Sequence, residues 1–424
     1  MDFSRLEAPE IKTIKNVDFP HPDKFILDNG IEVNSFNMGS QEAVQIDVIF
    51  NVSRAAGKNP LVAKAVNEII GEASSSKKPG ILNEAIDFHG AFLESTYSID
   101  HSSLSLFTLT KKLDDVLPLF SEVVLDAVFP KRELGIYLTN SKQKFKVNQE
   151  KVDTLVKRLY SKNLYGNHYY GSRTELNHFE EVTVMDLEDF YRNYYTSDNC
   201  TILVSGKFDE DLLQKLNNVF GKMKSGIKTP IESKLLQSNS VHVFEEKETA
   251  IQSGVRVGKL LDVEFGSLEY FQLKILNAVF GGYFGSRLMS NIREDKGYTY
   301  GIGSNVSSLK GASVFTIATE VGADVTKKTL IEIYKELDRL SVELIDEDEL
   351  QVVRNYLLGS ILQSSDGAFS LAQQFKGVNF LGKDLGFFKD YIKAIAEVTP
   401  SDLQRIAKKY FDKNSMIEAI AGKM

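Results

Sequence analysis

Short apolar runs of strand type alternate along the chain with longer stretches in which apolar residues recur at helical spacing. Residues 44–52 (VQIDVIFNV) predict a strand, and residues 61–72 (LVAKAVNEIIGE) predict a helix. The apolar positions of this helix are Leu61, Val62, Ala65, Val66, Ile69 and Ile70. Lys64, Asn67 and Glu68 are therefore predicted to share the opposite, polar face.

The pattern occurs twice in the chain. Shifting the sequence by 216 residues aligns residues 182–207 with residues 398–423, and seven of 26 positions are then identical. Average residue usage predicts roughly one or two identities. The identical pairs are Val182/Val398, Thr183/Thr399, Asp186/Asp402, Leu187/Leu403, Tyr194/Tyr410, Gly206/Gly422 and Lys207/Lys423. The Thr-x-x-Asp spacing in each copy is that of a capping box, which predicts that a helix begins there.

Other predicted elements recur in the same order. The strand at 44–52 corresponds to residues 253–261, and the strand at 104–110 corresponds to residues 313–319. Each strand of the second pair is followed by a long amphipathic stretch. An internal duplication explains this order better than chance does.

The length of the chain agrees with two domains. At 424 residues it is too long for one ordinary core. We predict an N-terminal half at residues 1–222, a polar linker at 223–240 and a C-terminal half at 241–424.

Composition excludes several classes of function. The net charge of −8 is spread along the chain without a basic stripe, so no nucleic-acid partner is expected. No apolar run approaches the roughly 20 residues needed to span a bilayer, and the first 16 residues lack the features of a signal peptide. A cytoplasmic location is the expectation. The one cysteine, Cys200, lies in a strand-like run and is predicted to be a buried, inert thiol.

Two segments carry a resemblance to a known family. Residues 89–106 (HGAFLESTYSIDHSSLSL) and 284–304 (FGSRLMSNIREDKGYTYGIGS), together with the tandem halves, resemble the pitrilysin or insulinase-type zinc metallopeptidases. That superfamily includes the mitochondrial processing peptidase and core subunits of a respiratory complex. The resemblance implies an α+β fold of two homologous halves, each of antiparallel sheets covered by helices, which form a clamshell around a cavity.

The resemblance also shows what this chain lacks. Active members carry His-x-x-Glu-His on a helix of the first half. Here Lys64 and Glu68 take the histidine positions, and Asn67 takes that of the catalytic glutamate. The third ligand is expected within residues 136–149, which contain no Glu, Asp, His or Cys. A protonated lysine repels a metal ion, so we expect no zinc, no other cofactor and no catalytic residue.

The histidines offer no replacement site. They are His21, His89, His101, His168, His178 and His242, and no two of them are three or four residues apart. A helical pair of metal ligands is therefore not expected elsewhere in the chain.

The second half keeps residues that the resemblance implies are functional. Active relatives use an Arg and a Tyr seven residues apart to hold the substrate near the metal, and Arg293 and Tyr300 have that spacing. We predict Arg293 in the last turn of a helix ended by Gly297, with Tyr298 and Tyr300 on one face of the following strand. A guanidinium and a phenol are both hydrogen-bond donors suited to a scissile carbonyl.

The expected function follows from this combination. We predict a non-catalytic, substrate-binding subunit of a two-subunit peptidase, in which a zinc-bearing partner of the same family cleaves an unstructured peptide. The alternative is a structural or peptide-holding homodimer that has no peptidase partner. An independent enzyme with a new site has no support, because neither a nucleophile with its base nor a cofactor loop is present.

Overall fold

The computed structural model describes residues 17–57, 59–229, 234–235 and 239–424. The strands are β1 (Asp23–Ile26), β2 (Glu32–Asn37), β3 (Ala43–Phe50), β4 (Phe92–Tyr97), β5 (Ser102–Leu109), β6 (Cys200–Gly206), β7 (Val241–Glu246), β8 (Gln252–Leu261), β9 (Thr299–Leu309), β10 (Ala312–Gly322) and β11 (Ile417–Gly422). The helices are α1 (Val62–Ile69), α2 (Ile81–Phe88), α3 (Leu113–Leu125), α4 (Lys131–Gln149), α5 (Val152–Tyr165), α6 (His178–Glu181), α7 (Val184–Tyr194), α8 (Leu212–Phe220), α9 (Leu268–Asn277), α10 (Thr326–Val342), α11 (Glu347–Ser364), α12 (Gly367–Asn379), α13 (Gly386–Glu397) and α14 (Pro400–Tyr410).

The strands form a six-stranded and a five-stranded sheet that share an order of five strands, to which the first sheet adds the edge strand β1. The first has the order β1-β2-β6-β3-β5-β4, and the second has the order β7-β11-β8-β10-β9. Each sheet contains one parallel pair, β2 with β6 and β7 with β11, and its other pairs are antiparallel. The predicted fold class, two homologous halves of largely antiparallel sheets covered by helices, is confirmed. The parallel pair in each sheet was not predicted.

The repeat extends to local hydrogen bonding. The side chain of Thr183 accepts a hydrogen bond from the backbone of Asp186, whose carboxylate accepts one in return, and α7 begins there. Thr399 and Asp402 form the same capping box at the start of α14. Both helices lead into a strand that ends in a glycine with positive φ, and these two capping boxes confirm the sequence prediction.

In each half, one helix packs against the sheet of the other half. Helix α5 of the first half buries Val156, Tyr160 and Leu164 against β8, β10 and β11 of the second sheet. In return, α12 of the second half covers the first sheet, where Phe375 lies edge-on to Phe36 with ring centroids 5.6 Å apart. This exchange joins the two halves through buried apolar surface.

A polar cluster reinforces the seam between the halves. Asp100, which is only 3% exposed, accepts hydrogen bonds from the hydroxyl of Tyr169 at 2.6 Å and that of Tyr170 at 2.8 Å. The Tyr170 hydroxyl in turn accepts one from the backbone of Gly311 in the β9–β10 turn, at 2.9 Å. The β4–β5 turn of one half is thereby fixed to the β9–β10 turn of the other.

The predicted linker at 223–240 lies partly outside the described residues, because 230–233 and 236–238 fall there. The domain boundaries therefore stay a prediction. Helices in the described part of the chain lack the combined length and apolar character needed to cross a membrane. Cys200 is buried, which raises the pKa of its thiol, as the strand pattern predicts for an inert cysteine.

His101 at this seam should make stability depend on pH. Burial, assisted by the charges of Lys376 and Lys310 and opposed by that of Asp100, lowers the pKa of His101 to about 4. The unfolded chain binds this proton near pH 6.5, so folding stability is retained above that pH and falls between pH 6.5 and 4. We expect a loss of about 2 kcal/mol over this interval, after allowing for solvent screening.

The measurement is the urea midpoint against pH for the unmodified chain, His101→Gln and the exposed control His21→Gln. His101→Gln should flatten the acid limb of the curve, and the control should not. Parallel curves for all three proteins would show that His101 is not protonated differently in the two states.

Candidate functional site

Helix α1 carries the positions of the lost zinc motif. Lys64 and Glu68 are exposed, as predicted, but Asn67 is buried, with 1% of its surface accessible. Its side-chain oxygen accepts a hydrogen bond of 3.3 Å from the hydroxyl of Tyr195. The prediction that Asn67 lies on a polar outer face is therefore wrong. The chain segment that follows α7 covers this side of α1, so the helix is buried on more than its apolar stripe.

A small cavity of about 160 Å³ lies beside this helix, next to β4. Asn67, Glu68, Glu72 and Glu94 contribute to its lining. Burial, with a further contribution from Glu133, raises the pKa of Glu72.

The zinc ion that the resemblance implies does not fit this arrangement. One motif position is the exposed Lys64, and another is the buried Asn67, whose side-chain oxygen already accepts a hydrogen bond from Tyr195. The described residues contain no group of three His, Cys, Asp or Glu side chains placed to hold a metal ion. The segment that should supply the third ligand forms part of α4 and has no such side chain. No metal chemistry is therefore assigned to these residues.

Arg293 and Tyr300 lie together in the second half. Arg293 belongs to a π-helical turn, Met289–Asp295, and the chain then reverses at Gly297 with φ +64°. Strand β9 starts two residues later and presents Tyr300. The guanidinium carbon of Arg293 lies 5.9 Å from the centroid of the Tyr300 ring, so the sequence spacing of seven residues becomes a direct contact.

Sequence reasoning did not single out Phe284 as a member of this group. The guanidinium carbon of Arg293 lies 4.6 Å from its ring centroid, and the ring is 62% exposed. The rings of Phe284 and Tyr300 therefore both lie within about 6 Å of the Arg293 guanidinium carbon. An aromatic residue shortly before the helix was the available signal, but no sequence pattern predicts that its ring packs against Arg293.

The two tyrosines of this strand have different environments. Tyr298 precedes β9 and packs partly buried against the core of the second half, whereas Tyr300 is 94% exposed. The prediction that they share one face of a strand is wrong, because the strand starts at Thr299. Only Tyr300 is free to meet a ligand.

The donors of this pair are available. Within the described residues, the ion pair of Arg293 is a long one of 3.9 Å to Glu294, and 29% of the arginine side chain is exposed. The Tyr300 hydroxyl makes no hydrogen bond in the described part of the chain. Two polarised donors therefore face solvent side by side, which suits them to a carbonyl or carboxylate oxygen.

A comparison with protein-family models finds a match over the middle of the chain. Residues 181–357 match the model described as "Peptidase M16 inactive domain". The matched residues are less than half of the chain, and over them it is similar to the M16, or pitrilysin-type, peptidases. The resemblance noted from the sequence is thereby confirmed, and the lost motif on α1 is consistent with it.

Individual relatives have low sequence identity to this chain, but the alignments with them are long. The "Uncharacterized zinc protease YmxG" of Bacillus subtilis is 25% identical over 342 residues, which cover 79% of this chain and 81% of that protein. The "Non-peptidase homolog YmxG" of Helicobacter pylori is 22% identical over 273 residues, or 63% of this chain and 61% of that protein.

A solved structure gives the same fold. The crystal structure of a peptidase M16 inactive domain from Pseudomonas fluorescens superposes with a TM-score of 0.88 at 21% identity. The match covers 95% of this chain and 98% of that one, so the M16 fold extends over both halves.

Proposed function

We propose that this chain is a non-catalytic, substrate-binding subunit that acts on peptides together with a zinc-bearing subunit of the same family. The partner would supply the metal and the general base. This chain would supply Arg293 and Tyr300 as donors to the substrate. The pairing and the peptide ligand are both parts of the proposal.

The observation that carries the proposal is the contrast between the two halves. On α1 the catalytic positions have become a surface lysine, a surface glutamate and a buried asparagine. In the second half Arg293 and Tyr300 lie together, the arginine side chain partly exposed and the tyrosine almost fully exposed. Burial of the ring would be the ordinary state of a strand tyrosine, so the 94% exposure of Tyr300 favours a ligand-binding role.

The edges of the sheets offer a place for an extended peptide. Strands β4 and β9 are the last strands of their sheets, so each has one edge without a strand partner in the described part of the chain. Peptides bind such edges through backbone hydrogen bonds. The edge strand β9 begins beside Arg293 and includes Tyr300, which places the two donors next to backbone groups suited to a peptide.

The expected test result is a mixed complex. We expect the purified chain to form a one-to-one complex with a zinc-bearing relative from the same genome, seen by size-exclusion chromatography with light scattering. In such a complex the partner would present the metal, and Arg293 and Tyr300 would donate hydrogen bonds to the same peptide. An unrelated monomeric protein serves as the control.

A different result would favour the alternative. If the chain forms a stable homodimer and does not bind the zinc-bearing relative, the pairing proposal fails. The structural or peptide-holding homodimer would then be the better account.

A further inference from the structure

The first sheet has an unusually polar inner face. Successive side chains of its strands point to opposite faces of the sheet. One face packs against α1, α3 and α7, and the other, which we call the inner face, is covered by α12. The inner face carries Asn34, Gln45, Asp47, Asn51, Ser103, Ser105 and Thr201, among apolar Phe36, Ile49 and Leu203. A surface that served only to join two halves would be expected to be more apolar.

A cavity of about 350 Å³ lies at this face, between the two halves. The first half contributes Asn34, Ile49 and His101, and the second half contributes Lys310 and Phe380. The volume is within the range of small-molecule sites, and the lining combines apolar surface with a few polar groups, as such sites do. We call it the seam pocket.

One fully buried side chain in the seam pocket has an oxygen atom without a hydrogen-bond partner. Asn34 is 0% exposed, and its side-chain nitrogen donates to Glu32 Oε1 at 2.8 Å. Its oxygen, Oδ1, accepts no hydrogen bond. Exchanging the nitrogen and the oxygen would set two acceptors against each other, so the free group is an acceptor. A buried acceptor of this kind is costly unless a ligand or water supplies a donor.

Positive charge borders the same space. The Nζ atom of Lys310 lies 3.2 Å from Asn51 Oδ1 and 4.1 Å from the centroid of Phe380. Lys376, only 13% exposed, lies 3.7 Å from Asp47 and donates to Ser103.

His101 stands among these groups with its ring 4.4 Å from that of Phe380, and its Nδ1 atom has no partner. Burial lowers the pKa of His101, the charges of Lys376 and Lys310 add to that effect, and the charge of Asp100, which also lines the seam pocket, opposes it. A neutral imidazole can donate from one ring nitrogen and accept at the other, so it can contact a bound anion.

We infer that the seam pocket binds an α-carboxylate together with the N–H group beside it. Lys310 and His101 would receive the carboxylate, and Asn34 Oδ1 would accept from the N–H. The side chain of the ligand would lie against Ile49, Leu203 and Phe380. A free amino acid and the last residue of a peptide share this chemistry, and neither requires a zinc-bearing partner.

The test is isothermal titration calorimetry of the full chain with four probes. They are N-acetyl-leucine, N-acetyl-leucine amide, free leucine, and an unstructured peptide that ends in leucine with a free carboxylate. We expect saturable binding of N-acetyl-leucine and of at least one of the two natural forms, and none of the amide. Tighter binding of the peptide than of leucine would identify a chain terminus, and the reverse would identify a free amino acid.

Two variants separate binding from folding. Lys310→Met should weaken binding of N-acetyl-leucine at least tenfold, whereas Lys327→Met, at an exposed lysine of α10, should not change it. Asn34→Leu removes the unpartnered acceptor, so it should abolish binding while leaving the urea midpoint unchanged or higher. Equal binding of the acid and its amide, absence of binding by all four probes, or an unaffected Lys310→Met variant would overturn the inference.

Discussion

Replacing Tyr300 by Phe should slow peptide cleavage by the two-chain complex about a hundredfold, or about 2.7 kcal/mol in the free energy of activation. The change removes one hydroxyl from a residue that is 94% exposed, so it leaves the packing of the chain intact. A donor directed at the oxygen that becomes negative stabilises the transition state more than the bound substrate. The loss should therefore appear in kcat rather than in KM.

Tyr298→Phe is the matched control. It makes the same chemical change two residues away, on a side chain that packs partly buried against the core. We expect normal cleavage from it. Arg293→Ala should slow cleavage as Tyr300→Phe does, and it also removes the contacts of the guanidinium with the Phe284 and Tyr300 rings. If Tyr300→Phe and Arg293→Ala both assemble with the partner and cleave at the normal rate, the pair is structural in this chain.

Replacing Gly206 by Ala should lower the free energy of unfolding by roughly 3 kcal/mol or more. Gly206 has a φ of +115°, and a Cβ atom added there would lie 2.1 Å from the backbone oxygen of Ala43. Gly422, its counterpart in the second half, has a φ of +136°, and its Cβ would lie 2.7 Å from the Cα of Ser253. Both glycines end a central strand where the neighbouring backbone approaches closely, so Gly422→Ala should behave similarly.

Gly135→Ala provides the control for this pair. Gly135 lies within α4, and an added Cβ would meet no atom within 4 Å. Alanine should stabilise that helix by roughly 0.5–1 kcal/mol. The measurement is the urea midpoint of the three variants. A normal midpoint for Gly206→Ala would mean that the close approach of β6 and β3 is relaxed in solution.

The internal repeat could be predicted from the sequence because the motifs that reveal it are local. The capping boxes at Thr183 and Thr399 depend on residues within one helical turn, so the same spacing of threonine and aspartate produces the same helix start in both halves. The strand order of the two sheets follows from this duplication.

The features that could not be predicted arise between distant segments. Asn67 is buried because the segment after α7 closes over α1, and the periodicity of α1 alone gives no sign of that neighbour. The contact of Phe284 with Arg293 depends on how a π-helical turn directs the chain. The exchange of α5 and α12 depends on the docking of the two halves, because the periodicity of each helix predicts a buried face but does not indicate which sheet that face covers.

Under the proposed function, α1 serves as part of the scaffold of the first half. Its apolar stripe still packs in the core of the first half, so the helix contributes to stability without a metal. Val62, Val66 and Ile69 are buried there, and Asn67 is fixed by the hydroxyl of Tyr195. Tyr300, by contrast, is 94% exposed, so its hydroxyl is accessible to a ligand.

The most direct measurement is the hydrolysis of an unstructured peptide by three samples, which are this chain alone, its zinc-bearing relative alone, and the two together. We predict no hydrolysis and no bound zinc for this chain alone, weak or absent hydrolysis for the relative alone, and chelator-sensitive hydrolysis for the mixture. Chelator-sensitive cleavage by this chain alone, with near-stoichiometric zinc, would contradict its non-catalytic role. Equal cleavage by the relative with and without this chain would contradict its role as a substrate-binding subunit.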